Sequence, residues 1–123
     1  MEFASPEILD WLERSDEEST DVLAFGVVRM DQQGNATRYN LHESLQSGLS
    51  KNEVLNQRFF EHVAPCMNNL MVAGRFAECR RSGTSLDATI DYVLAFRSAA
   101  APVKLRLLYS PGAASHYLLI KRL

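Results

Sequence analysis

A cysteine that follows a proline is the residue of this sequence best suited to covalent chemistry. Cys66 directly follows the run Phe59-Phe60-Glu61-His62-Val63-Ala64-Pro65. Proline keeps the preceding Ala64 out of the helical region, so we expect Cys66 on a loop. An amphipathic helix is predicted from about Asn69, and the partial positive charge at its N-terminus would favour a thiolate. The simpler interpretation is a small buried hydrophobe, as most free cysteines are.

The composition is that of one soluble globular domain, with 123 residues, 46% hydrophobic and 23% charged. Cys66 and Cys79 do not suggest a disulfide framework, which favours the reducing cytoplasm. No apolar run approaches the ~20 residues of a membrane span, and nothing at the N-terminus resembles a signal peptide. The three histidines share no ligand spacing, so no metal site is expected. The bases are scattered without interleaved aromatic residues, which disfavours nucleic acid as a partner.

Acidic residues are concentrated at the start of the chain. Residues 1–21 carry eight acids and one base, whereas the rest of the chain carries seven acids and twelve bases. We therefore expect an N-terminal helical cap (1–21) on a basic body (22–123), held partly by charge and loosened by salt. Ser5, Pro6 and Glu7 are typical of a helix start, and the polar residues 14–21 predict a linker.

The elements that must position Cys66 change in type along the chain. Strands are predicted where apolar residues run or alternate, at 22–28, 36–41, 91–97, 103–109 and 116–123. Turns are predicted at 31–35 and, in an alanine-rich stretch, at 98–102. Helices are predicted from the capping box at Ser50 and over 70–81, with Cys79 on the buried face. This order predicts an α+β fold, an antiparallel five-stranded sheet with helices packed against it and a pocket between them.

The residues around Cys66 resemble the photoactive yellow protein family. The shared residues are Leu23-Ala24-Phe25-Gly26, Asp31 through Asn35, Tyr39-Asn40, Phe59-Phe60-x-x-Val63-Ala64-Pro65-Cys66, Gly74-x-Phe76, Ser82-Gly83, Asp91-Tyr92, Pro102-x-Lys104 and Lys121-Arg122. The resemblance continues in register from about residue 22 to the end. It implies a PAS fold and a blue-light receptor.

The resemblance also implies a chromophore, 4-hydroxycinnamic (p-coumaric) acid, attached as a thioester to Cys66. Tyr39 and Glu43 match the residues that hydrogen-bond its buried phenolate, and Ser47 matches a supporting hydroxyl. The implied pocket residues are Val28, Leu49, Phe59, Val63, Ala64, Pro65, Leu94, Phe96 and Ile120. Leu49 stands where the family has an arginine, and Ser98 or a neighbouring alanine stands where it has a methionine. Colour and recovery rate are therefore left open.

The implied chemistry depends on Glu43. A buried carboxyl is driven toward its neutral form, so Glu43 can donate to the phenolate. After light-driven isomerisation it would give up that proton and become a buried carboxylate without compensation, which is costly. Release of the N-terminal cap, the element expected to be held most weakly, would then be the signal.

Simpler interpretations of these residues stay open. Glu43 lies in a polar run and could be solvated, Tyr39 could have its hydroxyl in water, and Ser47 could belong to a plain loop. The leading function is a photoreceptor, not an enzyme, monomeric or weakly dimeric, which signals to an unknown protein. The alternative is a PAS-type sensory or interaction module without this chromophore. A thiol enzyme using Cys66 is disfavoured, because nothing places His62 beside the thiol.

Overall fold

The computed structural model describes residues 1–96 and 99–123, with the exception of the Phe96 side chain. Two short helices come first, a hairpin and two further helices follow, and a long helix leads into three strands. The elements are α1 (Ile8–Arg14), α2 (Glu17–Asp21), β1 (Gly26–Met30), β2 (Ala36–Tyr39), α3 (Leu41–Ser47), α4 (Lys51–Val54), a π-helical turn (Phe59–Val63), a 3-10 turn (Pro65–Met67), α5 (Ala73–Ser82), β3 (Leu86–Phe96), β4 (Ala99–Tyr109) and β5 (His116–Arg122).

The five strands form one antiparallel sheet in the order β2-β1-β5-β4-β3. The last strand therefore lies at the centre, where Ile120 of β5 is opposite Gly26 on one side and Leu105 on the other. This arrangement confirms the predicted α+β class and the predicted sheet. It also brings the C-terminal residues of the chain next to the hairpin that precedes α3.

Alternating side chains give the sheet two apolar faces, because successive residues of a strand point to opposite sides. On β5, Leu118 and Ile120 belong to a large cluster that is covered by the segments between residues 41 and 82. Tyr117 and Leu119 belong to a second cluster, which is covered by the N-terminal segment through Ile8 and Leu12. The sheet is therefore enclosed by helical segments on both faces.

Local sequence signals explain several helix ends. The Ser50 side chain accepts from the backbone N–H of Glu53, and the Glu53 side chain accepts from that of Ser50, which confirms the predicted capping box. Helix α5 is capped by Gly83, whose φ of 68° lies in the left-handed region that favours glycine. Asn40 caps α3, the helix that carries Glu43.

Three local predictions were wrong. Residues 17–21, predicted as linker, form α2, because Asp16 caps a short helix there. The alanine-rich stretch from Ala99 to Pro102 is the start of β4, since its pairing with β3 continues to Phe96–Ala99. Helix α5 begins at Ala73 rather than near Asn69. The prediction that concerned Ser98 lies outside the described residues.

In the part of the chain that the structure describes, no helix has both the length and the apolar character needed to cross a bilayer.

Candidate functional site

Cys66 lies in the 3-10 turn that directly follows the π-helical turn, and its side chain is half-buried. Its carbonyl oxygen accepts from the Tyr92 hydroxyl of β3 at 2.6 Å and from the Asn69 amide at 3.3 Å. The Asn69 amide also donates to the Tyr92 oxygen at 2.6 Å. The backbone at Cys66 is therefore fixed to the sheet by two side chains, Tyr92 and Asn69, to which sequence analysis assigned no role in the site.

The expected setting of the thiol was wrong in two respects. Cys66 was expected on a loop, and it lies inside a short helical turn. It was also expected at the mouth of a helix, but α5 begins only at Ala73. The positive end of a helix dipole acts within its first turn, so α5 gives Cys66 little of this effect. Cys79, expected to be buried, is only partly buried against the core.

The side chains of the predicted pocket gather in one apolar cluster on the α3–α5 face of the sheet. Its buried members include Val28, Tyr39, Phe59, Ala64, Leu94 and Ile120. Leu49, Val63 and Cys66 are partly buried and pack against it. Pro65 is exposed, and the prediction for the side chain of Phe96 lies outside the described residues.

Tyr39 is 2% exposed, and its hydroxyl donates to Ser47 Oγ at 2.8 Å. Its ring centroid lies 6.4 Å from that of Phe59. Burial raises the pKa of Tyr39 well above its usual value, and the charge of Glu43 raises it further. The Tyr39 hydroxyl is therefore protonated inside the core, and it donates to Ser47 rather than to solvent.

Glu43 is 1% exposed, so the interpretation that it is solvated was wrong. Its Oε1 accepts from Arg122 Nη1 at 2.6 Å and its Oε2 from Nη2 at 2.9 Å. The absence of a side chain at Gly26 makes room for it, since a Cβ there would lie 2.2 Å from Oε1. The carboxyl group was expected to lack a compensating charge, and in this structure Arg122 provides one.

Arg122 is the site residue that sequence reasoning missed. It lies at the end of β5, on the same face as Ile120, and its side chain is 18% exposed. Burial lowers its pKa, but the hydrogen bonds and charge of Glu43 outweigh burial, so the pKa of Arg122 is raised. The only signal in the sequence was the Lys121-Arg122 pair of the family resemblance, which indicated no partner.

A separate cleft of about 220 Å³ is lined in part by Phe60. Its lining includes Phe76, Arg80 and His116, but not Cys66, Tyr39 or Glu43. The His116 ring lies 4.4 Å from that of Phe76, and Arg80 Nη2 donates to His116 Nδ1 at 2.7 Å. Burial, helped by the charge of Arg80, lowers the pKa of His116 to about 4. His116 is therefore a neutral acceptor at neutral pH.

The N-terminal segment is attached to the opposite face of the sheet by both apolar and polar contacts. Ile8 and Leu12 are fully buried there. Arg106 of β4 donates to the backbone carbonyls of Phe3 and Ser5, each at 2.9 Å, and forms a two-bond pair with Asp87 of β3. Arg106 therefore contributes hydrogen bonds from a charged group to the docking, beside a substantial apolar contact.

The fold, with the apolar cluster on the α3–α5 face of its sheet, defines the class of protein. The structure matches the PAS domain of the quorum-sensing receptor RpfR from Cronobacter turicensis, solved in complex with BDSF, with a TM-score of 0.64 at 18% identity. The match covers 82% of this chain and 95% of that domain. The protein is therefore a PAS-fold domain, the class predicted from the sequence.

More similar proteins define the family. The photoactive yellow protein domain of the sensor histidine kinase Ppr from Rhodospirillum centenum matches with a TM-score of 0.83 at 30% identity, over 91% of this chain and 97% of that domain. Photoactive yellow protein from Rhodothalassium salexigens is 31% identical over 102 residues, 83% of this chain and 81% of that protein. That from Halochromatium salexigens is 29% identical over 123 residues, 100% of this chain and 98% of that protein. This chain belongs to the photoactive yellow protein family. No protein-family model matches it.

Proposed function

We propose that this protein is a cytoplasmic blue-light receptor that carries p-coumaric acid as a thioester on Cys66. The observation that carries the proposal is that, in a member of this family, the half-buried thiol of Cys66 packs against the apolar cluster that contains the buried Tyr39, whose pKa is raised by burial and by the charge of the buried Glu43. This set of groups fits the chromophore, because it offers one nucleophilic sulfur and two polar groups that can hold a phenolic oxygen.

Cys66 is the attachment residue in this proposal. Its side chain packs against the apolar cluster while its backbone carbonyl is bonded to Tyr92. Fixing the backbone keeps the sulfur at a defined position relative to the cluster. The apolar side chains around it, among them Phe59, Val63 and Leu94, would exclude water from the bound ring.

Tyr39 and Glu43 hold the phenolic end, with Ser47 supporting Tyr39 through the bond that the two hydroxyls share. When bound, the chromophore supplies visible absorption and light-driven isomerisation. Glu43 then gives up a proton, and the resulting carboxylate is compensated by Arg122. The driving force for rearrangement is therefore smaller than for an unpaired buried carboxylate.

The proposed output is release of the N-terminal cap, residues 1–21, from the body, residues 22–123. The freed face of the sheet would expose Val27, Leu108 and Leu119, which the cap covers in this structure. Such a change gives a downstream signalling protein an apolar surface that is absent in the dark. We expect a monomer or weak dimer.

An absorption spectrum tests the proposal. Protein mixed with activated p-coumaric acid should gain an intense visible band that bleaches in blue light and recovers in the dark, and Cys66 should gain the mass of one hydroxycinnamoyl group. Cys66→Ala should remain colourless, whereas Cys79→Ala should colour normally. A wild-type protein that folds but gains neither mass nor colour would overturn the proposal.

A second candidate is a PAS-type sensory module without this chromophore. Its support is that Arg122 already binds both oxygens of Glu43 and Ser47 already accepts from Tyr39, so both polar groups are satisfied by the protein alone. The same spectrum separates the two candidates, since this one predicts a folded, colourless protein.

A further inference from the structure

The pair of Glu43 and Arg122 joins two elements that lie far apart in the sequence, α3 and the end of β5. Both oxygens of Glu43 are bound, at 2.6 and 2.9 Å. Arginine can only donate, and a neutral carboxyl group carries a proton on one of its oxygens. A fork that binds both oxygens is therefore the geometry of a carboxylate.

The surroundings of the pair make its charges consequential. Glu43 is 1% exposed, and Gly26 of β1 lies directly against it. From β2 it faces Tyr39, and Asp21 of α2 is engaged elsewhere, with the Leu41 backbone N–H and Lys51. Leu49, which packs against the cluster, carries no charge. Among the described residues, Arg122 is thus the cation in contact with Glu43.

We propose that Arg122 is a positioning residue for the chromophore site, holding Glu43 as a carboxylate before attachment and compensating the phenolic oxygen afterwards. This inference rests on the proposed function. Glu43 accepts the phenolic proton at a carboxylate oxygen: the O–H bond of the phenol breaks, one forms on Glu43, and the negative charge moves to the phenolic oxygen. The site is neutral overall before and after, and water exchanges no proton with it.

Loss of Arg122 should change two ionisations that a merely structural pair would leave unchanged. If Arg122 compensates whichever oxygen is negative, its removal destabilises both the free carboxylate and the bound phenolate. Glu43 should then hold a proton before attachment, and the bound phenol should ionise at a higher pH. A pair that only braces the fold would change stability and leave both ionisations where they are.

The first experiment needs no chromophore. Isotope-edited infrared spectra of the unloaded protein, with the Glu43 band identified by Glu43→Gln, should show an ionised carboxylate at neutral pH. Arg122→Met should shift that band toward the protonated form. A protonated Glu43 in the unloaded wild-type protein would overturn the proposal.

The second experiment titrates the visible band of the loaded protein. Arg122→Met should raise the pH at which half of the bound phenol is ionised by at least about one unit, which is a tenfold change in the ionisation constant. Arg122→Lys, which keeps the charge but loses the fork, should recover most of that shift. Lys121→Met is the matched control, because it removes the same charge from the exposed neighbour on the opposite face of β5. Equal midpoints in Arg122→Met and wild type would overturn the proposal.

Failure of the role proposed for Arg122 and failure of the proposed function give different results. If Arg122→Met does not fold, the double variant Glu43→Gln/Arg122→Met is compared with Glu43→Gln, and equal midpoints in these two variants would overturn the proposal. A wild-type protein that stays colourless overturns the proposed function instead. The infrared spectrum still decides whether Arg122 holds Glu43 ionised.

Discussion

A buried arginine contributes to the attachment of the N-terminal segment, and Arg106→Met tests the size of this contribution directly. Arg106 is 5% exposed and donates to the carbonyls of Phe3 and Ser5 at 2.9 Å each. Methionine keeps much of the apolar stem while removing every donor. The change therefore isolates the part of the docking contact that the Arg106 hydrogen bonds contribute.

The size of the effect follows from these bonds. Hydrogen bonds from a charged group are worth about 1.5–3 kcal/mol each. The pair with Asp87 adds little, because the Asp87 side chain is 55% exposed and regains water when the arginine is lost. Taking the lower value for the two carbonyl bonds gives about 3 kcal/mol, or about a hundredfold increase in opening of the segment.

Hydrogen exchange followed by mass spectrometry measures that opening. Amides of residues 8–14 should exchange up to about a hundredfold faster in Arg106→Met, whereas those of β5 should change far less. Lys104→Met is the matched control on the same strand, since its pair with Asp91 is exposed on both sides and should contribute under about 1 kcal/mol. An increase below about threefold in residues 8–14, or an equal increase in β5, would refute the reasoning.

Three further predictions concern pH, a buried amide and salt. In the folded protein, burial lowers the pKa of His116 to about 4. Between about pH 6.5 and about pH 4, the unfolded chain therefore binds a proton on His116 that the folded protein does not bind. The free energy of unfolding should fall by up to about 3 kcal/mol as the pH drops through this range. Urea unfolding should show that His116→Gln removes this slope and that the exposed His62→Gln does not. Asn40→Ala leaves two backbone N–H groups and two carbonyls without their partner. It should lower the free energy of unfolding by about 3 kcal/mol or more in the same urea assay. A loss under about 1 kcal/mol would contradict this prediction. Lys51→Met removes the ion pairs with Glu17 and Asp21 and should lower the free energy of unfolding by less than about 1 kcal/mol. NaCl at about 1 M should abolish this difference between the variant and wild type. Residue-resolved hydrogen exchange should show that α1 stays attached at that salt concentration.

The sheet and the helix ends could be predicted because they follow local rules. Alternation on β5 places Leu118 and Ile120 on one face whatever the rest of the chain does. The capping box at Ser50 and the glycine stop at Gly83 likewise depend on a few adjacent residues. Family resemblance added the rest of the site, which periodicity alone does not identify.

The errors arose where tertiary contacts outweigh local preference. Alanine is a weak strand former, yet Ala99 to Ala101 continue β4 because β3 supplies a complete partner strand. The partner of Glu43 was unpredictable for a related reason. Arg122 lies 79 residues away, and only the central position of β5 brings it to α3.

Asn40 connects the two faces of the sheet, which bears on how a change at Glu43 would reach the N-terminal segment. Its Oδ1 accepts from the backbone N–H of Glu43 at 3.2 Å, and its Nδ2 donates to the carbonyls of Thr20 and Phe25 at 2.9 Å each. A shift of the first turn of α3 would therefore strain the hydrogen bond from Asn40 to the Thr20 carbonyl. This coupling needs no rearrangement of the apolar core. Under the proposed function, light would loosen α2 before α1, since Ile8 and Leu12 keep their own apolar contacts. Exchange in the illuminated protein that rises first in residues 8–14 would contradict this order.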